Sequence, residues 1–124
     1  MHDHPSVPEL VQAVKNFIDE TAAPNLTGHA AFHARVASNA LATVLRDLSE
    51  RPVAESAERQ RLMDLLGASE DLTTSDLNRT LSERIRNGEM TADTPGLLAH
   101  LKATTMAQVE IDQPRYSGLK TAKS

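Results

Sequence analysis

The stretch His29–Leu48, HAAFHARVASNALATVLRDL, restricts the fold of this chain more than any other. At 100° per residue, Ala34, Ala37, Leu41, Val44, Leu45 and Leu48 cover one broad face of a helix. Phe32, Val36 and Ala40 widen that face past half the circumference. A helix on a protein surface needs an apolar stripe of only about 100°. The spacing therefore predicts a helix with neighbours on several sides, the centre of a bundle. Its narrow remaining face carries Arg35, Asn39 and Arg46. If the helix is enclosed, these side chains need partners, because an unpaired buried charge is costly.

Composition limits what can surround such a helix. The 124-residue chain is long enough for one domain with its own core, and it has no cysteine. Disulfides and thiolate zinc sites are therefore excluded. Tyr116, Phe17 and Phe32 are the only aromatic residues, which leaves a core of Leu, Ala, Val and Ile. Strand-like alternation is not evident, so helix packing is the expected outcome. No apolar run approaches the roughly 20 residues of a membrane span. The opening MHDHPSVPEL lacks the basic and apolar regions of a secretory signal, and a cytoplasmic location is expected. A formal charge of −4, with no basic stripe or stacking platform, argues against nucleic-acid binding.

Taken in order, residues 1–5 read as frayed. Ser6 and Glu9 then form the S-x-x-E capping box, with Pro8 in the first turn. Val7, Leu10, Val11, Val14, Phe17 and Ile18 follow at helical spacing to about Glu20. Pro24 and Gly28 bracket a loop before the central helix, which is expected to end near Glu50 because Pro52 marks a boundary. A third helix is predicted over Val53–Leu66, closed by Gly67, and a fourth from Ser75 to Gly88 along Leu77, Leu81 and Ile85. Thr94-Pro95 opens a fifth, which turns Leu97, Leu98, Leu101, Val109 and Ile111 inward and stops near Asp112 before Pro114. Residues 117–124 read as a disordered tail. The expected fold class is all-α: an antiparallel up-and-down bundle of about five helices in one domain, residues 1–116.

Motifs for chemistry are sparse. His29 and His33 have the i, i+4 spacing of paired zinc ligands, but two ligands are too few and Ala30 stands where a zincin has Glu. His33 lies within the apolar arc and reads as a core histidine; His2 and His4 lie near the terminus. No nucleophile elbow or Gly-rich phosphate loop is present. Neither a catalytic residue nor a metal or other cofactor is expected. The leading polar cluster is Arg35, Asn39 and Arg46, whose guanidinium forks suit an anion. Asn78, Arg79, Arg84 and Arg86, then Asp112-Gln113-Pro114-Arg115-Tyr116, stand near other helix ends. Packing of the fifth helix along the second would bring Asp112 or Arg115 to the arginine face. The competing reading is a structural ion-pair network. Glu55, Glu58, Arg59 and Arg61 read as a solvated face.

The segments HDHPSVPELVQAVKNFI, FHARVASNAL, LNRTLSERIRNGE and IDQPRY, in this order over residues 2–116, resemble those of a small bacterial family of unknown function. Its members share a His-Asp-x-Pro opening, F-H-A-R-V-A-x-N-A-L, L-N-R, I-R-x-G and D-x-P-R-Y. Gln113 departs from the Asn often found there, and one amide replaces another. Family members are often encoded beside an aminoglycoside-phosphotransferase-like kinase and an acyl-CoA-dehydrogenase-like flavoprotein. The resemblance implies a helper in acyl-CoA or hydroxyacyl-CoA metabolism, with such a kinase or dehydrogenase as partner. Matching the motifs residue by residue points to Arg35, Asn39, Asn78, Arg79, Asp112, Arg115 and Tyr116 as shared site positions. The expected function is a non-catalytic accessory or interaction module that self-associates. The alternative is a binder of a small anionic ligand (phosphate, carboxylate or CoA-type) through an arginine cluster.

Overall fold

The computed structural model describes residues 4–124, and every regular element among them is helical. His2, in the amino-terminal opening, lies outside the described residues. The α-helices are α1 (Val7–Phe17), α2 (Gly28–Leu66), α3 (Thr74–Arg86), α4 (Leu97–Asp112) and α5 (Gly118–Lys123). A π-helical turn, Ile18–Ala22, and a 3₁₀ turn, Ala23–Asn25, follow α1. The chain forms two compact units, residues 1–50 and 51–124, with α2 contributing its first part to one and its second part to the other.

The principal departure from expectation is α2. A break was expected at Pro52, yet the helix runs through it for 39 residues. Proline removes one amide donor and crowds the carbonyl four residues earlier, here that of Leu48. The flanks Glu50-Arg51 and Ala54-Glu55-Ser56-Ala57-Glu58 are rich in helix formers, and their propensity carries the helix across that one lost bond.

Unit 1 is a helical hairpin. The Ser6–Glu9 capping box starts α1 as the sequence indicates. After the turns at 18–25, Ser38 of α2 donates to Asp19 Oδ1 at 2.5 Å, and Lys15 Nζ donates to Asp19 Oδ2 at 2.7 Å. Val11, Lys15, Ile18 and Ala22 are half-buried from one side, and Ala31, Ala34, Leu41, Ala42 and Leu45 from the other, around the buried Ser38. The expectation of an enclosed rod over residues 29–48 is not met. A hairpin supplies one neighbour, so Phe32, Val36, Val44 and Leu48 remain exposed. His33, read as a core histidine, is exposed as well, its ring edge-on to Phe32 with centroids 5.5 Å apart.

Unit 2 holds the main core: Leu62, Leu66, Leu77, Leu81, Met90 and Leu97, with Met63, Leu65 and Ala68 packed against it. Gly67 ends α2 at φ +63°, and Ala68 N–H bonds Met63 C=O at 3.1 Å, a Schellman closure. The next helix is capped by Thr73 and Asp76, two residues before the expected Ser75. Arg59, expected in a solvated face, donates to the carbonyls of Glu70 and Leu72 and so fixes the α2–α3 connection. The last residues, expected to lack order, form α5: Leu119 is buried and Lys123 Nζ pairs with Glu110 at 2.6 Å. The Tyr116 ring packs over Gly118, and a side chain there would push that exposed ring aside.

Candidate functional site

The seven positions picked out in the sequence are divided between the two units. Arg35 and Asn39 belong to unit 1, and both are exposed, so the partners that burial demanded are not needed there. Arg46 is half-buried, and its Nη2 donates to Thr43 Oγ1 at 3.1 Å. In unit 2, Asn78 donates to Glu58 at 3.0 Å, while Arg79 lies 3.6 Å from Asp76 as an exposed i, i+3 pair. Asp112 accepts from Gln108 at 2.7 Å, and Arg115 is exposed. Asp112 and Tyr116 do come together, with Val109 and Gln113, around a shallow concavity of about 240 Å³ at the end of α4. No hydrogen bond or ion pair among the described residues links Asn78 or Arg79 to that concavity.

A different constellation occupies unit 2, and the register of α4 creates it. Leu98 and Leu101, expected inward, are exposed; His100 is buried and Thr104 half-buried in their place. Two polar residues are tolerated on the inner face because Arg61 of α2 reaches both. Its Nε–H donates to His100 Nδ1 at 3.3 Å and its Nη2 donates to Thr104 Oγ1 at 3.1 Å. Burial and the neighbouring Arg61 charge hold the His100 imidazole below its ordinary pKa of 6.5, against a smaller opposing pull from Glu58. The ring is therefore neutral at pH 7. An Arg Nε–H can only donate, so Nδ1 is the acceptor and the proton resides on Nε2.

His100 lines a cleft of about 370 Å³ together with Arg61, Asp64, Leu65, Pro95, Gly96 and Ala99. The cleft adjoins the start of α4, where Gly96 at φ +88° is the N-cap and supplies no side-chain bond to the first-turn amides. Asp64, on the same wall, accepts from Gln60 at 3.1 Å. The site thus has a cationic corner, a neutral N–H donor, uncapped helix amides and apolar walls, with one carboxylate at its edge. Among the described residues no three His, Cys, Asp or Glu side chains gather as a metal site.

Sequence reasoning missed this pairing. The available signal was the spacing Leu97, His100, Thr104, Ala107, Ile111, a helical stripe that skips the exposed leucines. Taking Leu98 and Leu101 as inward placed the stripe in the wrong register.

Comparison with protein families gives a match over residues 24–116 to DUF6285, a domain of unknown function. The chain belongs to this family. The DUF6285 match takes in α2, α3 and α4 and the cleft between the last and first of these, while α1 precedes it. Neither the curated proteins nor the solved structures contain a match to the chain. No helix among the described residues is long and apolar enough to cross a membrane.

Proposed function

We propose that this DUF6285 protein is a non-catalytic interaction module whose amino-terminal hairpin pairs with a second copy of itself. The observation that carries the reading is the uncovered apolar surface of unit 1. On α1, Val7, Leu10, Val14 and Phe17 recur in the 3-4 spacing of a coiled-coil seam, with β-branched residues at one position and Leu or Phe at the other. Val14 is 53% exposed and Phe17 58%. On α2, Phe32, Val36, Val44 and Leu48 form a ridge in four-residue steps through Ala40. Together these eight large side chains leave on the order of 700 Å² in water, close to the roughly 800 Å² per partner of a stable interface. No charged side chain interrupts either row, which suits a self-complementary contact rather than a strongly charged partner.

Sedimentation velocity at micromolar concentration tests this. A dimer is expected for the wild type, and monomers for Val14→Glu and Phe17→Glu with helix content retained. A wild-type monomer, or dimers that survive both substitutions, would overturn it. The sequence adds a cytoplasmic setting, and the resemblance a phosphotransferase-like kinase or acyl-CoA-dehydrogenase-like partner for the assembled module. Co-purification of the three proteins tests that link separately. The alternative, an anion held jointly by Arg35, Asn39, Asn78, Arg79, Asp112, Arg115 and Tyr116, has less support, because in unit 2 only Asp112 and Tyr116 share a cavity.

A further inference from the structure

The residues of the Arg61–His100 cleft all belong to unit 2, and none of them is in the unit 1 rows proposed to self-associate. Its features nevertheless converge on one kind of ligand. His100 is only 3% exposed, and its Nε2–H has no acceptor among the described residues. No fully buried side-chain nitrogen or oxygen among those residues lacks a partner, so Nε2 retains a small accessible surface, and His100 is one of the residues that line the cleft. A neutral imidazole N–H without a protein acceptor, on a residue that lines a cavity, calls for an acceptor there. Beside it, Arg61 has spent Nε and Nη2 on His100 and Thr104, which leaves Nη1 and the delocalised charge for a ligand. In the first turn of α4 the Leu97 N–H is taken by the Thr94 carbonyl, which leaves the Leu98 and Ala99 amides and the positive end of a 16-residue helix dipole.

These donors ask for an oxyanion, and the rest of the cleft narrows the choice. Leu65, Pro95 and Ala99 offer apolar wall rather than further cations. Asp64 puts a negative charge on the same wall, and Glu58 lies close enough to His100 to act on its charge. Both disfavour a multiply charged anion such as phosphate while tolerating a single charge. The volume is in the lower part of the roughly 300–1,000 Å³ range of small-molecule sites.

We propose that this cleft binds a small organic monocarboxylate. The carboxylate is held by His100 Nε2–H, Arg61 and the Leu98 and Ala99 amides of α4, and a short carbon chain lies against Leu65, Pro95 and Ala99. The test is a ¹H–¹⁵N NMR titration of the full chain with hexanoate, acetate and inorganic phosphate. Hexanoate is expected to shift the Leu98, Ala99 and His100 amides and the His100 side-chain N–H saturably; acetate should shift them less, and phosphate not at all. Ala99→Glu places a carboxylate at an exposed first-turn position, where it suits the helix dipole. This variant should keep its helix content and lose the hexanoate response. The proposal is overturned if hexanoate moves none of these signals, if phosphate moves them equally, or if folded A99E responds like the wild type. Should A99E fail to fold, the wild-type titration decides alone.

Discussion

His100 is the residue whose environment and chemistry are most tightly joined. Its imidazole is buried and its pKa lies below the ordinary 6.5, with burial the larger cause and the Arg61 charge the second. The unfolded chain, with an unperturbed histidine, takes up a proton first as pH falls. The His100 contribution to stability is therefore complete above about pH 6.5 and declines as pH drops below it. Urea unfolding between pH 5 and 8 should show this decline, and His100→Gln should flatten it while keeping an acceptor for Arg61 and a donor toward the cleft. An unchanged slope in the variant would show that another group carries the effect. Asp19 and Asp76 lie outside that window. Their pKa values are lowered, the first chiefly by the Lys15 hydrogen bond and the second by the Thr73 hydroxyl, so their contributions are lost only as pH falls below about 3.8. At this scale the sequence was least informative. Arg61 and Arg35 are the same residue type on the same helix, yet the first reaches His100 and Thr104 while the second stands in water. Only the packing of α4 distinguishes them.

At the scale of elements, local signals were legible wherever one residue type had a single physical use. The Ser6–Glu9 box, Gly67 at positive φ and the stop before Pro114 all stand where the sequence put them. Thr73 does the capping expected of Ser75, and Thr73→Ala should cost about 1 kcal/mol of stability, the usual value of such a cap. Chemical denaturation measures it directly. Proline has two uses, and Pro52 was read as the wrong one. Because it sits inside α2 rather than at its start, it removes a helix bond, and its ring crowds the position of the Leu48 carbonyl. Pro52→Ala should therefore raise the unfolding free energy by about 1–3 kcal/mol and increase helical circular dichroism. A variant no more stable than the wild type would mean that the turn has already relaxed around the ring. The register of α4 escaped for a related reason. Leucine is favoured inside a core but is common on surfaces as well, so Leu98 and Leu101 did not define the inner face.

For the whole molecule, the helical class followed from composition, whereas the arrangement of contacts did not. A wide apolar arc on residues 29–48 requires cover but does not say whose. Reading that cover as intramolecular led to one bundle; the chain has the expected five α-helices, forms two compact units and leaves the hairpin rows exposed. If a second copy supplies the cover, folding and association are linked, and the thermal midpoint must depend on concentration. For a dimer that unfolds to monomers, a hundredfold dilution removes about 2.7 kcal/mol of apparent stability, enough to lower the midpoint by several degrees in a chain of this size. Differential scanning calorimetry across that range should show the shift in the wild type and none in Val14→Glu, which has no association left to lose. The wild-type midpoint should also approach that of the variant from above as the solution is diluted. A midpoint constant from micromolar to hundreds of micromolar concentration would mean that the exposed rows of α1 and α2 are not covered by a copy of this chain.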